Sequence, residues 1–520
     1  MELSAQVSRY KKANGLPTLD RKREEAILQN VMDSTPERYR PYALEFFKEM
    51  MKLGREIIQE ELREIDNLIL KYRDKDTFEP KDIQPTTIKT KLGEIPIARR
   101  RYKVVINNEI KCVYLLDKFL EISEFGMYSE GIVEMVTREI TKKSYRETAK
   151  TISEDTENGI SHTAVRNIVL KLGEKIKKLE EEKIKLYEEG KIEGEKEMQY
   201  IFCEHDGIYI KKQKSKKQNS KKEFKENHFK KKKSKKKKKG IELKIAVIHE
   251  GKEARYTNDY KLKNKIVVGT ASKAKDLKKI EDATIGTKYK EHTIKNVIIN
   301  GDGADWTGSI VEGAKEIFQL DMAHIQKKIY MAVRDEEYLN KMQKVVYTEQ
   351  AKDIFSLIYN YKEELETENK IGELEKVKEL EEYLRNNEKG LQRYQYKLGY
   401  KEEELEGIKE ELPSLGSEES HMYCICRDRM KKNRTSWSIV GAEALLKVIM
   451  NKMNGTITEI ITNKAEKKIK EELASRIPEP KKVKKQRESK IVYEGRYEIA
   501  NNFTGSTKNY IIDLLKDKKC

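Results

Sequence analysis

The sequence predicts a multidomain α+β protein. A helical N-terminal region with a helix-turn-helix is expected to precede an α/β domain that carries a helical insertion. Three observations lead there. The chain has 520 residues, more than one hydrophobic core usually serves. Long charged runs with Leu and Ile at three- and four-residue spacing alternate with stretches of period-two patterning. From Tyr200 onward the patterns read as three strands, helix, strand, helix, strand. The expected parts are a helical region over 1–80, a small β-hairpin region over 81–125, and a helix-turn-helix with its connecting helix over 126–195. The α/β domain is expected over 196–350 and 413–460, the helical insertion over 351–412, and a basic tail over 461–520.

Charged residues make up 38% of the chain and the formal net charge is +18, a balance that suits an acidic partner. No apolar run approaches the roughly 20 residues needed to span a bilayer, so a membrane role is not expected. The opening "MELSAQVSRYKKANG" has no apolar stretch of signal-peptide kind, and a cytoplasmic protein is expected. The five cysteines include no C-x-x-C pair, which argues against a zinc knuckle or a disulfide framework.

The elements follow in order. Residues 21–72 carry the helical spacing, and "TTIKTKLGEIPIARRRYKVV" reads as strands around a turn at Gly93. That stretch ends in the basic cluster Arg99, Arg100 and Arg101, also candidates for DNA contact, and a hairpin return follows in "EIKCVYLLDKFL". In "SYRETAKTISEDTENGISHTAVRNIVLKLG" a helix, a turn at Asn158-Gly159, Ser161 as a cap and a second helix form helix-turn-helix grammar. The second helix presents His162, Thr163, Arg166 and Asn167 as candidate DNA readers. "EMQYIFCEHDGIYIKKQ" alternates as a strand, which Asp206-Gly207 is expected to break. The lysine-rich block over 211–240 cannot form a packed core and reads as a disordered loop. Strands resume at "IELKIAVIHEGKEA" and "NKIVVGTAS". The helix "AKDLKKIEDATIG", the strand "IKNVIINGDGADW", the helix "TGSIVEGAKEIF" and the short strand "QLDMAHIQKKI" come next. In the insertion, Ile371, Leu374, Val377 and Leu384 share a helical stripe.

An apolar strand that stops at Asp302 between two glycines has two readings. Gly-Asp-Gly is good turn chemistry. It also suits a metal ligand at the carboxyl end of a central strand. The element order is that of the ribonuclease-H-like fold, whose first and fourth strands lie side by side, so Asp206 and Asp302 would face each other. Carboxylates that converge repel unless cations lie between them. Mg²⁺ is held by one or two carboxylates plus phosphates, and paired ions clamp the attacking and leaving oxygens of a displacement at phosphorus. A third carboxylate is expected on a helix after the last strand: Glu419 first, with neighbouring Glu418 and Glu443 of "VGAEALL" as competitors. Asp321 and His324, three apart in "LDMAHIQK", are candidates for supporting roles, His324 by steadying a phosphate or another carboxylate.

The segments "CEHDGIYI", "INGDGADW", "LDMAHIQKKI" and "ESHMYCICRDRM", with "LGEIPIARRRY", "YLLDKFL" and "SYRETA" upstream, resemble the ISLre-type insertion-sequence transposases, relatives of the Mutator-type transposases. The resemblance spans most of the chain. It implies a DDE triad of Asp206, Asp302 and Glu419 in a ribonuclease-H-like domain, working with Mg²⁺ or Mn²⁺ on double-stranded DNA at element ends and targets. It also implies a homo-oligomer on DNA. Asp321 and His324 match the Mutator-type motif of an acidic residue or Cys, a two-residue gap and His. Two alternatives stand beside it: a transposase-derived DNA-binding protein without catalysis, and a structural protein assembled through its charged helices.

Overall fold

The computed structural model describes residues 36–106, 109–120, 125–156, 158–213, 240–256, 259–311, 313–416, 426–431 and 435–464. Among these, the chain divides into two units: 36–135 with Ala149–Ser161, and Val136–Thr148 with the residues from 162 onward.

In the first unit the helix α1 (Pro36–Tyr72) packs on a three-stranded antiparallel sheet of order β1 (Glu79–Thr90), β2 (Gly93–Ile106), β3 (Glu109–Val113). Leu62 and Ile69, two turns apart on α1, meet Ile95, Ile97, Tyr102 and Val104 of β2 and Ile88 of β1 in one core. The short helix α2 (Leu115–Leu120) closes it with Leu115 and Leu116. The helices α3 (Glu130–Ile140) and α4 (Tyr145–Thr156) follow, and the division between units falls inside each. α5 (His162–Glu188) belongs wholly to the second unit, so the two helices of the expected helix-turn-helix fall largely into different units.

The second unit holds a five-stranded mixed sheet. Its strands are β4 (Tyr200–Lys211), β5 (Gly240–His249), β8 (Ile266–Thr270), β9 (Asn296–Gly301) and β10 (Glu316–Leu320). The spatial order is β10-β9-β4-β5-β8, with β4, β9 and β10 mutually parallel and β5 antiparallel to both β4 and β8. A two-stranded ribbon, β6 (Lys252–Tyr256) and β7 (Asp259–Leu262), is inserted between β5 and β8.

The alternation of side chains sorts the sheet's two faces. On one, Ile201 and Cys203 of β4 and Val297 and Ile299 of β9 pack against α6 (Ala274–Gly286) through Leu277 and Ile280. On the other, Phe202 and Ile298 meet Tyr394, Leu412 and Leu415 from the far end of the insertion. After β9 comes α7 (Asp305–Ser309), and after β10 come α8 (Met322–Ala332) and α9 (Glu336–Val345). The insertion helices α10 (Ile354–Thr367) and α11 (Ile371–Asn386) share a core with α8 and α9, built on Ile325, Ile329, Met342, Ile358, Leu380 and Leu384. α12 (Ile439–Met453) packs on α5 and β8.

Four local expectations are corrected. β4 runs through Asp206 and Gly207 without a break, because β5 pairs with both residues. It also extends into the start of the lysine block: Lys211 pairs with Gly240, and its carbonyl accepts a hydrogen bond from Trp437 N at 2.9 Å. The lysines from 214 to 239 lie outside the described residues. The helix after β9 has five residues rather than twelve, and Glu316–Leu320 is strand. "MAHIQKKI" is helix rather than strand, since the Asp321 carboxylate accepts the His324 N–H at 2.8 Å and so caps α8. On α11, Val377 and Leu384 are buried, whereas Ile371 at the start of the expected stripe is 62% exposed.

Candidate active site

The register of the three parallel strands builds the site. β4 pairs with β9 as Glu204↔Asn300 and His205↔Gly301, and β9 pairs with β10 as Asn300↔Gln319 and Gly301↔Leu320. One residue further, Asp206, Asp302 and Asp321 fall into a single row across adjacent strands, which lie about 4.8 Å apart. The row sits at the carboxyl ends of β9 and β10, on the face opposite α6. Two residues back on the same face, Glu204, Asn300 and Gln319 form a second polar row, each at most 3% exposed.

This second row supports the first. Asn300 Nδ2 donates to Asp321 Oδ2 at 3.2 Å, Gln319 Nε2 donates to Asn300 Oδ1 at 3.3 Å, and Gln319 Oε1 accepts from Tyr394 N at 2.9 Å. Glu204 lies 3.3 Å from His249 Nε2, and that ring stacks on Phe202 with centroids 5.3 Å apart. Such a chain fixes Asp321 without leaving buried amide groups unmade. Sequence reading missed this row, although the signal was present. Each aspartate follows a polar residue and one intervening residue, within β4 as "EHD" and at the ends of β9 and β10 as "NGD" and "QLD".

The carboxylates differ in environment. Burial, then the neighbouring Asp302 charge, pushes the Asp206 carboxyl up to about 7, against the pull of a hydrogen bond from Gly207 N. Asp321 is held below its ordinary value: burial raises it, but the His324 side chain and backbone and Asn300 outweigh that. The hydrogen bond to Asp321 raises the His324 imidazole in turn, with help from the charges of Asp302 and Asp206. His324 Nδ1 lies 3.0 Å from Asp321 Oδ1, and its side chain is 41% exposed. Asp302 Oδ1 accepts from Ala304 N at 2.9 Å, and its backbone carbonyl accepts from the Tyr383 hydroxyl of α11 at 2.8 Å. The insertion is therefore bonded to the turn that carries Asp302. Gly303 follows with φ +77°, and a Cβ there would come 2.8 Å from Leu320 and 2.9 Å from Tyr383.

Glu418 and Glu419 lie outside the described residues. The chain leaves Gly416 against the row: a Cβ on that residue would lie 2.3 Å from Asp321 Oδ2, and its φ is +87°. Glu443 is not brought to the aspartates. It sits on α12 at the far edge of the sheet, where its carboxylate accepts from Thr270 Oγ1 at 2.9 Å and from Ala271 N just after β8. Among the described residues, no group of three or more His, Cys, Asp or Glu is arranged to hold a metal ion by itself. The donor set nevertheless suits a hard divalent cation, since two neighbouring strands offer carboxylate oxygens whose mutual repulsion a cation would relieve.

The expected DNA-contacting residues separate into two groups. His162, Thr163, Arg166 and Asn167 are exposed in the first turns of α5, while Val165, Ile168 and Val169 face inward. Arg99, Arg100 and Arg101 are each paired with a carboxylate of the same unit. Arg99 pairs with Asp117 and stacks 3.8 Å from the Tyr114 ring centroid. Arg100 binds Asp66, and Arg101 binds Asp82 through two hydrogen bonds. No helix among the described residues is long and apolar enough to cross a membrane.

The chain belongs to the uncharacterised protein family UPF0236, whose family model matches residues 43–235 and 223–468. The model of chorismate mutase type II also matches residues 1–71, a stretch that includes all of α1 but its last residue. Among similar proteins are UPF0236 proteins of Caldanaerobacter subterraneus subsp. tengcongensis. One is 26% identical over 471 residues, covering 84% of this chain and 85% of the relative. A second is 26% identical over 471 residues, with 84% and 81% covered. A third is 27% identical over 422 residues, with 79% and 77% covered, and its name joins eleven gene designations from that genome.

Proposed function

We propose that this protein is a DNA transposase of ISLre type, which cleaves a DNA strand and transfers its end through acidic residues that work with Mg²⁺ or Mn²⁺. The observation that carries the reading is the register that sets Asp206 and Asp302 side by side at the carboxyl end of a parallel strand pair. The strand order β10-β9-β4-β5-β8, with β4 central, supports a ribonuclease-H-like reading of the domain. Eleven gene designations for one relative in one genome support a mobile element, which multiplies by copying itself to new positions.

On this reading Asp206 and Asp302 hold the cation. When bound, it polarises the phosphoryl oxygens and makes the attacking oxygen a stronger nucleophile at neutral pH. The chain's own groups do the rest. Asp321, buried and bonded by Asn300, anchors the His324 imidazole. The raised His324 stays protonated further toward neutral pH and presents its positive edge to a phosphate oxygen. Tyr383 holds the Asp302 carbonyl and so keeps the Gly-Asp-Gly turn in place. Glu419 completes the acidic set, and the exposed residues of α5 read DNA at the element ends.

The test is a nicking and strand-transfer assay on DNA carrying the element's ends, with Mg²⁺ and with EDTA. Asp302→Asn and Asp206→Asn are expected to abolish product while the fold and DNA binding persist. Binding to the ends with no metal-dependent product from the wild type would leave a transposase-derived DNA-binding protein as the reading.

A further inference from the structure

The helix α8 begins at the aspartate row, and the described residues leave one side of it uncovered. Ile325, Ile329 and Ala332 are buried against the insertion core, whereas Lys327, Lys328, Tyr330 and Met331 are exposed, Tyr330 at 61% and Met331 at 60%. Arg334, just past the helix end, is exposed as well. In α9 and the insertion, several lysines are neutralised: Lys341 pairs with Glu337, Lys352 with Glu388, Lys362 with Glu381 and Lys370 with Glu368. No described carboxylate lies within ion-pair distance of Lys327, Lys328 or Arg334. Lys328 Nζ sits 4.0 Å over the ring of Tyr383, the residue whose hydroxyl holds the Asp302 carbonyl. Three cations without an acidic partner among the described residues, and an exposed tyrosine, thus lead away from an acidic row.

We propose that this face of α8 is the track on which the DNA strand enters the aspartate row, its phosphates on Lys327, Lys328 and Arg334 and an unpaired base on Tyr330. The inference rests on the DNA-cleaving reading above and adds the residues that grip the substrate strand. Length fits charge. From Asp321 to Tyr330 the helix rises about 14 Å, which covers about four nucleotides at 3.4 Å each. The cations also offset a difficulty of the site, because carboxylates repel the phosphodiester they must handle. Aromatic faces beside a basic groove are how sequence-tolerant single-strand contacts are made.

The experiment measures the affinity of the full chain for a labelled duplex with a single-stranded overhang, across a salt series. It uses wild type, Lys327→Ala/Lys328→Ala/Arg334→Ala and Tyr330→Ala, with metal-dependent nicking followed in parallel. Loss of three phosphate contacts should make the log–log salt slope shallower by about 2 to 3. Tyr330→Ala should weaken overhang binding about 5- to 150-fold and leave blunt-duplex binding unchanged. If the wild type nicks DNA and both variants match it in slope and affinity, the track is overturned and the enzyme reading stands. If the variants shift binding as described while the wild type never nicks, the track stands and the cleavage reading falls. Absence of DNA binding by the wild type overturns both.

Discussion

Asp206 occupies a position whose charge the fold disfavours. Its carboxyl is raised from 3.8 to about 7 by burial and then by Asp302. A carboxyl raised on folding contributes stability that is complete below about pH 4 and is lost as pH rises through about 7. Metal-free protein should therefore melt progressively lower between pH 5 and 8. Added Mg²⁺ should raise the melting temperature more at pH 8 than at pH 5, and Asp206→Asn should flatten the pH step. A Mg²⁺ effect of equal size at both pH values, read by thermal denaturation, would count against Asp206 as a ligand. Gly416 is the second residue to probe, because its positive φ and the 2.3 Å approach of a Cβ to Asp321 both demand glycine. Gly416→Ala should destabilise by about 1–3 kcal/mol in chemical denaturation. Gly372→Ala, at a helical site with nothing within 4 Å, should be neutral or stabilising by up to about 1 kcal/mol. Asp206, Asp302, Asp321 and His324 were legible as candidates because a carboxylate that ends an apolar run is conspicuous. Glu204, Asn300 and Gln319 were not, since a polar residue on a strand reads as solvent-facing until the partner strands supply the second layer.

Among the elements, β4, β5, β8, β9 and α6 were legible, being long or strongly apolar and bounded by Gly, Asn or Lys. α8 was misread because Met322 and Ile325 follow closely on Leu320, the last residue of β10, and the local choice was made by a cap rather than by periodicity. The bond between α11 and the Asp302 turn could not be read at all, since Tyr383 lies 81 residues from its partner. That bond has a measurable role. Tyr383→Phe removes one hydrogen bond of about 1 kcal/mol and keeps the ring that Lys328 covers. Nicking should fall by up to about tenfold, with the melting temperature little changed. An unchanged rate would make the insertion a spectator to the Asp302 turn.

For the whole molecule, the net charge of +18 says less about DNA than where that charge is free. "ARRRY" is the densest basic cluster among the described residues of the first unit, yet each arginine has a carboxylate of its own there, and Asp66 is only 2% exposed. Burial pushes the Asp66 carboxyl up, and the hydrogen bonds and charge of Arg100 offset part of that. Arg100→Ala would leave a buried carboxylate unpaired beneath β2, a loss of about 3–5 kcal/mol. Arginines already neutralised by carboxylates release no counterions from DNA phosphates. Arg100→Ala should therefore lower the denaturation midpoint sharply, and the salt slope of DNA binding, measured well below that midpoint, should equal that of the wild type. A shallower slope with normal stability would return this arginine to the DNA interface. The same comparison, run on Lys327, Lys328 and Arg334, should give the opposite result: a changed slope and an unchanged midpoint, because those side chains neutralise nothing described within the protein.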